Sequence, residues 1–175
     1  MIETGHRIDS SVASQRFDFF LSFGGLNKLN WLTAPRRPHR VDEGNIFKRE
    51  DSRLVEVPLS AYFAPYVGTT MRILPAMTAA QRYMAHLEAT LTGKPVVFDI
   101  HPNELIDESG EKRTIAKRSL NPVTYLLKDI IRSQLKIKNL GPRAIPLYRK
   151  EIAFYHTRGY RFPTIRTYCE ALGLL

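Results

Sequence analysis

The sequence predicts an α/β fold, the last part of a (β/α) barrel carrying an irregular β-containing insertion. Three observations predict it. Val96-Val97-Phe98 is a short apolar run rich in β-branched residues, bounded on the left by Gly93-Lys94-Pro95. Such a run suits a strand buried on both faces of a parallel sheet. Ala80, Tyr83, Met84, Leu87 and Leu91 recur before it at helical spacing, and Val123, Leu126, Leu127, Ile130, Ile131 and Leu135 recur after it. Strand and helix then alternate toward the C-terminus. The units are too few for a closed barrel of seven or eight. One domain, 1–175, therefore divides into 1–75, a strand plus irregular insertion, and 76–175, the βα units.

The elements follow in order. Met1 to Gly5 reads as the tail of a helix with its glycine stop, and Gly5 to Val12 as a turn, a short strand and a polar exit. This abrupt start suggests an N-terminal portion upstream. Phe17, Phe19, Phe20 and Phe23 cluster before Gly24-Gly25 and read as an apolar face packed under the sheet rather than as a sugar platform. Strand candidates follow at Leu29–Thr33, Leu54–Phe63 and Thr70–Leu74, separated or interrupted by Pro35, Pro38, Pro58, Pro65 and Pro75. Thr78 is a candidate N-cap for the helix that Gly93 stops, with His86 at its surface or boundary. A polar loop spans Asp107–Arg118. Asn121-Pro122 opens the next helix, Gly141-Pro142 ends it, and a third helix at about Leu147 to Thr157 closes at Gly159. Tyr160-Arg161-Phe162 can form a last strand, and Thr164 can cap a final helix through Leu172.

Chemistry concentrates at the end of the central strand, in Lys94 to Asp107, KPVVFDIHPNELID. Pro102 argues that no helix runs through His101. Asp99, His101, Asn103, Glu104 and Asp107 then crowd together. Residues leaving the C-terminal end of a barrel strand project into the reaction site. An imidazole there can trade a proton near neutral pH. A histidine before a proline can equally be a turn residue whose ring caps a backbone group.

Lys and Arg outnumber Asp and Glu by 26 to 17, giving a formal charge of +9. On charge alone, nucleic acid, an anionic polymer or an anionic membrane surface could be a partner. The positive residues are dispersed along the chain, without a zinc finger, an RNA-binding aromatic signature or a basic arm. They read as solvated faces, so no nucleic acid partner is expected. The single cysteine, Cys169, excludes an internal disulfide and reads as a small core residue of the last helix. No stretch reaches the apolar length of a membrane span and the N-terminus carries no apolar signal core, so a cytoplasmic location is expected.

Four stretches, in this order, resemble the C-terminal half of the polysaccharide deacetylase family, the NodB-like carbohydrate esterases. Gly5-His6-Arg7-Ile8-Asp9-Ser10-Ser11-Val12 resembles the family's G-Y-x-Y-D-S-S-V strand. Leu54-Val55-Glu56-Val57-Pro58-Leu59-Ser60 is similar to its L-x-E-I-P-V-S strand. Val97-Phe98-Asp99-Ile100-His101-Pro102-Asn103-Glu104 resembles the motif that delivers a catalytic histidine, and Gly159-Tyr160-Arg161-Phe162-Pro163-Thr164 the terminal G-Y-x-F-x-T turn. The match extends over nearly the whole chain.

The resemblance implies part of a distorted barrel and metal-dependent removal of an N- or O-acetyl group from an acetylated polysaccharide or glycan. It implies a divalent cation, commonly zinc, held in the full family domain by an Asp and two His. His101 then donates a proton to the leaving amine or alkoxide, and Asp9, Asp99 and Glu104 are carried over as substrate-binding residues. This sequence lacks the Thr-Phe-Asp-Asp and His-x-x-x-His metal motifs, and His6, His39, His86, His101 and His156 do not have that spacing. Arg36-Arg37-Pro38-His39 looks like the family's Arg-x-Pro-Tyr but stands on the wrong side of Asp9. Asp99 occupies a position where the family has an apolar or aromatic residue lining the acetyl-methyl pocket. No metal ligand and no cofactor is therefore assigned to this chain, and little or no activity is expected of it alone. The upstream half is lost or supplied by another chain, and an open sheet edge invites self-association. Two rival readings are a basic module that binds an anionic polymer or nucleic acid without chemistry, and an unrelated hydrolase using His101 with Asp99 or Glu104.

Overall fold

The computed structural model describes residues 5–14, 30–42, 44–106, 135 and 137–175. The Phe17–Phe23 cluster, the loop from Asp107, the helix after Asn121 and the start of the chain lie outside them. The architecture mixes helix and sheet. Its centre is an open four-stranded sheet of order β1-β4-β2-β3. β1 (Ile8–Asp9) runs parallel to β4 (Val55–Glu56), whereas β2 (His39–Asp42) is antiparallel to both β4 and β3 (Asn45–Arg49). Asp42 and Asn45 oppose each other across the β2–β3 turn, where Asp42 Oδ1 accepts from the Gly44 N–H at 2.8 Å. A separate small hairpin joins β5 (Ala61–Tyr62) to β6 (Ala64–Pro65).

The predicted central strand is extended. Val96 and Phe98 pack with a cluster of Tyr66, Ala85, Phe154 and Tyr155, while Val97 packs with Val55, Val57 and Cys169. That alternation is the period of two of an extended chain. Its ladder is sparse, however: Val67 bridges Asp99 in parallel, the Ser60 N–H donates to Val97 O at 3.0 Å, and the Val97 N–H donates to Ser60 Oγ at 3.1 Å. A hydroxyl thus takes the place of one backbone acceptor, and the three side chains are half-buried rather than fully enclosed.

Helices cover this layer. α1 (Asn30–Thr33) and α2 (Gly68–Ile73) replace two predicted strands. β-branched content suggested a strand over Thr70–Leu74, but Pro75 begins α3 (Pro75–Thr92) at its first turn, where its missing N–H costs nothing. Thr78 is therefore inside α3, buried, with its N–H donating to Leu74 O at 3.1 Å. Gly93 closes α3 in the left-handed conformation at φ 68°, as its position suggested. α4 (Ala144–His156) precedes Gly159, also left-handed, and α5 (Ile165–Ala171) is capped by Thr164 Oγ1, which accepts from the Thr167 N–H. Cys169 is buried on α5. Tyr160–Phe162 forms no strand, because the Tyr160 N–H turns back to Tyr155 O at 3.1 Å. Among the described residues no helix is long and apolar enough to cross a membrane.

The buried face of α3 is the largest correction. Tyr83, Met84, Leu87 and Leu91 point outward, Leu91 at 74 % exposure, whereas Thr78, Gln81 and Ala85 are buried. The reason lies in the layer below. The β5–β6 hairpin offers carbonyls, so Gln81 faces it and its amide donates to Ala64 O at 2.8 Å. Two turns further along, Glu88 accepts from both Arg36 Nε and Nη2 at 2.7 Å, from Lys94 Nζ at 3.1 Å and from the Tyr62 hydroxyl. Burial raises the Glu88 carboxyl, but these donors outweigh it and hold it at about 2. Their stabilisation is complete above the ordinary carboxyl value of 4.5 and is lost as pH falls toward 2. Glu88→Ala leaves the buried Lys94 ammonium without a carboxylate and should lower stability by about 2 kcal/mol in urea denaturation at pH 7.

Candidate functional site

Asp9 and Glu56 meet because β1 and β4 are in parallel register, Ile8 beside Val55 and Asp9 beside Glu56. The Val57 N–H donates to Asp9 O and the Leu59 N–H to Val12 O, each at 2.9 Å, so the chain gains one residue on the β1 side between these bonds. This bulge gives the Asp9-Ser10-Ser11-Val12 sequence its physical content. Ser10 Oγ donates to Val57 O at 2.7 Å and Ser11 Oγ to Asp9 Oδ2 at 2.6 Å. The freed Val12 N–H donates to Glu56 Oε1 at 3.0 Å.

Glu56 is completely buried, and its other oxygen, Oε2, receives no N–H or hydroxyl hydrogen. A proton resolves this. Burial, then the neighbouring Asp9 charge and hydrogen bond, push the Glu56 carboxyl up to about 8 against the opposing N–H groups of Val12 and Ser11. The shift favours the protonated form of Glu56 beside Asp9.

His39 stands opposite Glu56 in the β2–β4 register. Direct partners share a face of the sheet, so Asp9, Glu56 and His39 form a row across three adjacent strands. The buried His39 ring contacts Arg37 O through Nδ1 at 2.9 Å, and among the described residues its Nε2 has no partner. Bonding to a carbonyl places the hydrogen on Nδ1 and leaves Nε2 as a bare acceptor. Burial holds this imidazole below its usual value, against the favourable Arg37 carbonyl. The row does not converge on a cation: among the described residues no three His, Cys, Asp or Glu side chains are grouped to hold a metal ion. The residues present do not fit the divalent cation that the family resemblance implies, and no step of chemistry here runs through one.

The other predicted site residues separate. His101 precedes a single 3-10 turn, Pro102–Leu105, with its carbonyl accepting from the Glu104 N–H at 2.9 Å. Its side chain is exposed and, among the described residues, has no hydrogen-bond partner. Asp99 is half-buried, its backbone held by Tyr66 O and the Gly68 N–H. Glu104 is buried in an ion pair with Arg72 Nη2 at 2.9 Å and accepts from Thr69 Oγ1 at 2.6 Å, so its first oxygen is already engaged within the fold. The structure therefore joins Asp9 to Glu56 and leaves His101 free at the end of the next extended segment.

Glu56 and His39 were not singled out in the sequence. Glu56 was legible in principle, since Val55-Glu56-Val57 alternates and a carboxylate between two core valines must face the opposite side. His39 offered no such signal. Comparison with protein-family models, with curated proteins and with solved structures finds no match to this chain.

Proposed function

We propose that this chain is the C-terminal portion of a polysaccharide deacetylase-like domain, a partial distorted barrel that supplies the proton donor for removing an acetyl group from a glycan. The observation that carries the reading is the parallel alignment of the Asp9-Ser10-Ser11-Val12 segment with Leu54–Ser60, which puts Asp9 beside the buried Glu56 on adjacent strands. The segment Val97–Asp99 lies beside the same Ser60 and leads directly into His101. Three extended segments in this order are what the resemblance calls for. The exposed His101 side chain is open to a bound polymer and serves in this reading as the general acid toward the departing amine nitrogen. The half that activates water is not encoded in these residues, so the chain alone should release no acetate from N-acetylated oligosaccharides.

The test is the reading frame upstream of Met1. It should contain the aspartate and histidine motifs absent here, and the longer protein should deacetylate. Within that protein, His101→Ala should lower kcat on an N-acetyl sugar by about 10²-fold with KM little changed, and should spare an aryl acetate whose leaving group needs no proton. An upstream frame without those motifs, or equal losses on both substrates, would sink the proposal.

A further inference from the structure

The helix α3 is built inside out. Its charged residues and its histidine all turn toward the rest of the fold. Arg82 pairs with Glu151 at 3.1 Å, Glu88 with Arg36 and Lys94, and His86 Nδ1 meets the Tyr160 hydroxyl at 2.8 Å. The opposite face is an uncharged stripe of Ala76, Ala80, Tyr83, Met84, Leu87 and Leu91, all of them exposed. At the turn of an α-helix these positions fall within about a third of its circumference. The four large side chains among them are each 51–74 % exposed. A solvated helix carries its charges on the outer face and its apolar residues on the inner one. A chain with a formal charge of +9 that keeps all charge off an outer helix face presents a surface made to meet another.

The order of sizes along the stripe identifies that other surface. Ala76 and Leu91 are equally far from a point between Tyr83 and Met84, and so are Ala80 and Leu87. The stripe is therefore complementary to itself when reversed. An antiparallel second copy sets Leu91 over Ala76, Leu87 over Ala80, and Tyr83 beside Met84 on both sides of a two-fold axis. Each long aliphatic side chain then meets a small one, so the helices keep an even spacing. At the centre, a thioether against an aromatic ring is a favourable contact. The Tyr83 ring is already held edge-on to Phe154, with centroids 5.0 Å apart. A parallel pair would instead crowd leucine on leucine at one end and leave a gap between alanines at the other.

We propose that α3 is the interface of a symmetric antiparallel dimer of this chain, with its two-fold axis at Tyr83 and Met84. At roughly 200 Å² for a whole side chain of this size, the four large residues hide about 500 Å² per copy, and the pair about 1,000 Å², the lower bound of a specific interface. The uncharged stripe also lets two strongly basic chains meet without burying like charges. The dimer is independent of the deacetylase reading, since it uses neither His101 nor the carboxyl row.

The test is sedimentation equilibrium of the whole chain between about 1 and 100 µM, the range in which an interface of this size should assemble. Wild type should dimerise. Leu87→Glu sets a carboxylate against Ala80 twice in each dimer and should weaken it about 100-fold, while circular dichroism keeps the same helix content. Direction is read by oxidative cross-linking, in which the buried Cys169 takes no part. An equimolar mixture of Ala80→Cys and Leu87→Cys chains should give a mixed disulfide dimer. Neither variant alone should cross-link, because like positions lie about 10 Å apart along the axis. Cross-linking of each variant with itself would show a parallel pair and overturn the proposal. A wild-type dimer insensitive to Leu87→Glu joins through another surface, such as the open sheet edge, and overturns it too. So does a monomer throughout the range, and Met84 resistant to hydrogen peroxide in that monomer would assign the stripe to a segment of the same chain.

Discussion

Glu56→Gln should make the protein more stable by about 4 kcal/mol at pH 8, and should remove most of a pH dependence that wild type shows between pH 4.5 and 8. In that interval the unfolded chain has an ionised Glu56 while the folded chain keeps it protonated. The stability that the raised carboxyl contributes is complete below 4.5 and is lost as pH rises through about 8, because the native state must then either hold its proton against the solvent or bury a charge. Glutamine keeps the shape, accepts from the Val12 N–H and donates to Asp9 as the protonated acid does. His39 acts with the opposite sign. Its lowered value makes the folded protein less stable as pH falls below the usual 6.5. The measurement is therefore the difference between Glu56→Gln and wild type across urea titrations at several pH values, in which the His39 contribution cancels. Parallel curves for the two proteins would show that the fold does not raise the Glu56 carboxyl.

Gly68→Ala should cost about 3–5 kcal/mol. Gly68 is not in the left-handed region, so the penalty is one of room. A Cβ there would lie 2.0 Å from Glu104 Oε2 and 2.8 Å from Ile100 Cγ1. Glu104 cannot simply swing aside. Its other oxygen is bound to Arg72 and Thr69, and both members of the ion pair are buried. Moving it leaves the Arg72 guanidinium with a weakened partner in a place water does not reach. The effect should be strongly non-additive: in a Glu104→Ala background, adding Gly68→Ala should cost less than half as much as it does alone. Additive losses in this double-mutant cycle would show that the Ile100 side chain, and not the Glu104 carboxylate, sets the limit at Gly68.

The sequence made some elements legible and concealed others for identifiable reasons. Gly93 and Thr164 were read correctly as a helix stop and a helix cap because each acts locally, through its own φ or its own hydroxyl. The strand near Ile8–Asp9 and that within Leu54–Phe63 were both expected, and both appear, though shorter than the stretches suggested. The inward face of α3 was not legible, because periodicity assigns apolar residues to the interior and this helix instead faces the carbonyls and cations of another element. Gln81 and Glu88 are inside for what they bond, which no count of hydrophobic spacing reveals. The candidate site divides in the same way. Asp9 was singled out, but its partners Glu56 and His39 became visible only through strand register, which depends on residues dozens of positions apart. Glu104 was chosen for its nearness to His101 in sequence, and Arg72 engages it across 32 positions.

Val96, Val97 and Phe98 also bear on how the molecule comes apart. The outer two belong to one apolar cluster and the middle one to the other, although the three are consecutive. Neither cluster can open without dragging this segment out of its neighbour. A chain with two such centres could split into independently melting regions, each with its own hydrogen-exchange rate. Here the shared segment couples them, and Ser60, bonded to Val97 through both its N–H and its hydroxyl, lies at the seam. The two centres should therefore unfold as a single cooperative unit, and hydrogen exchange should find the Ser60 and Val97 amides among the slowest.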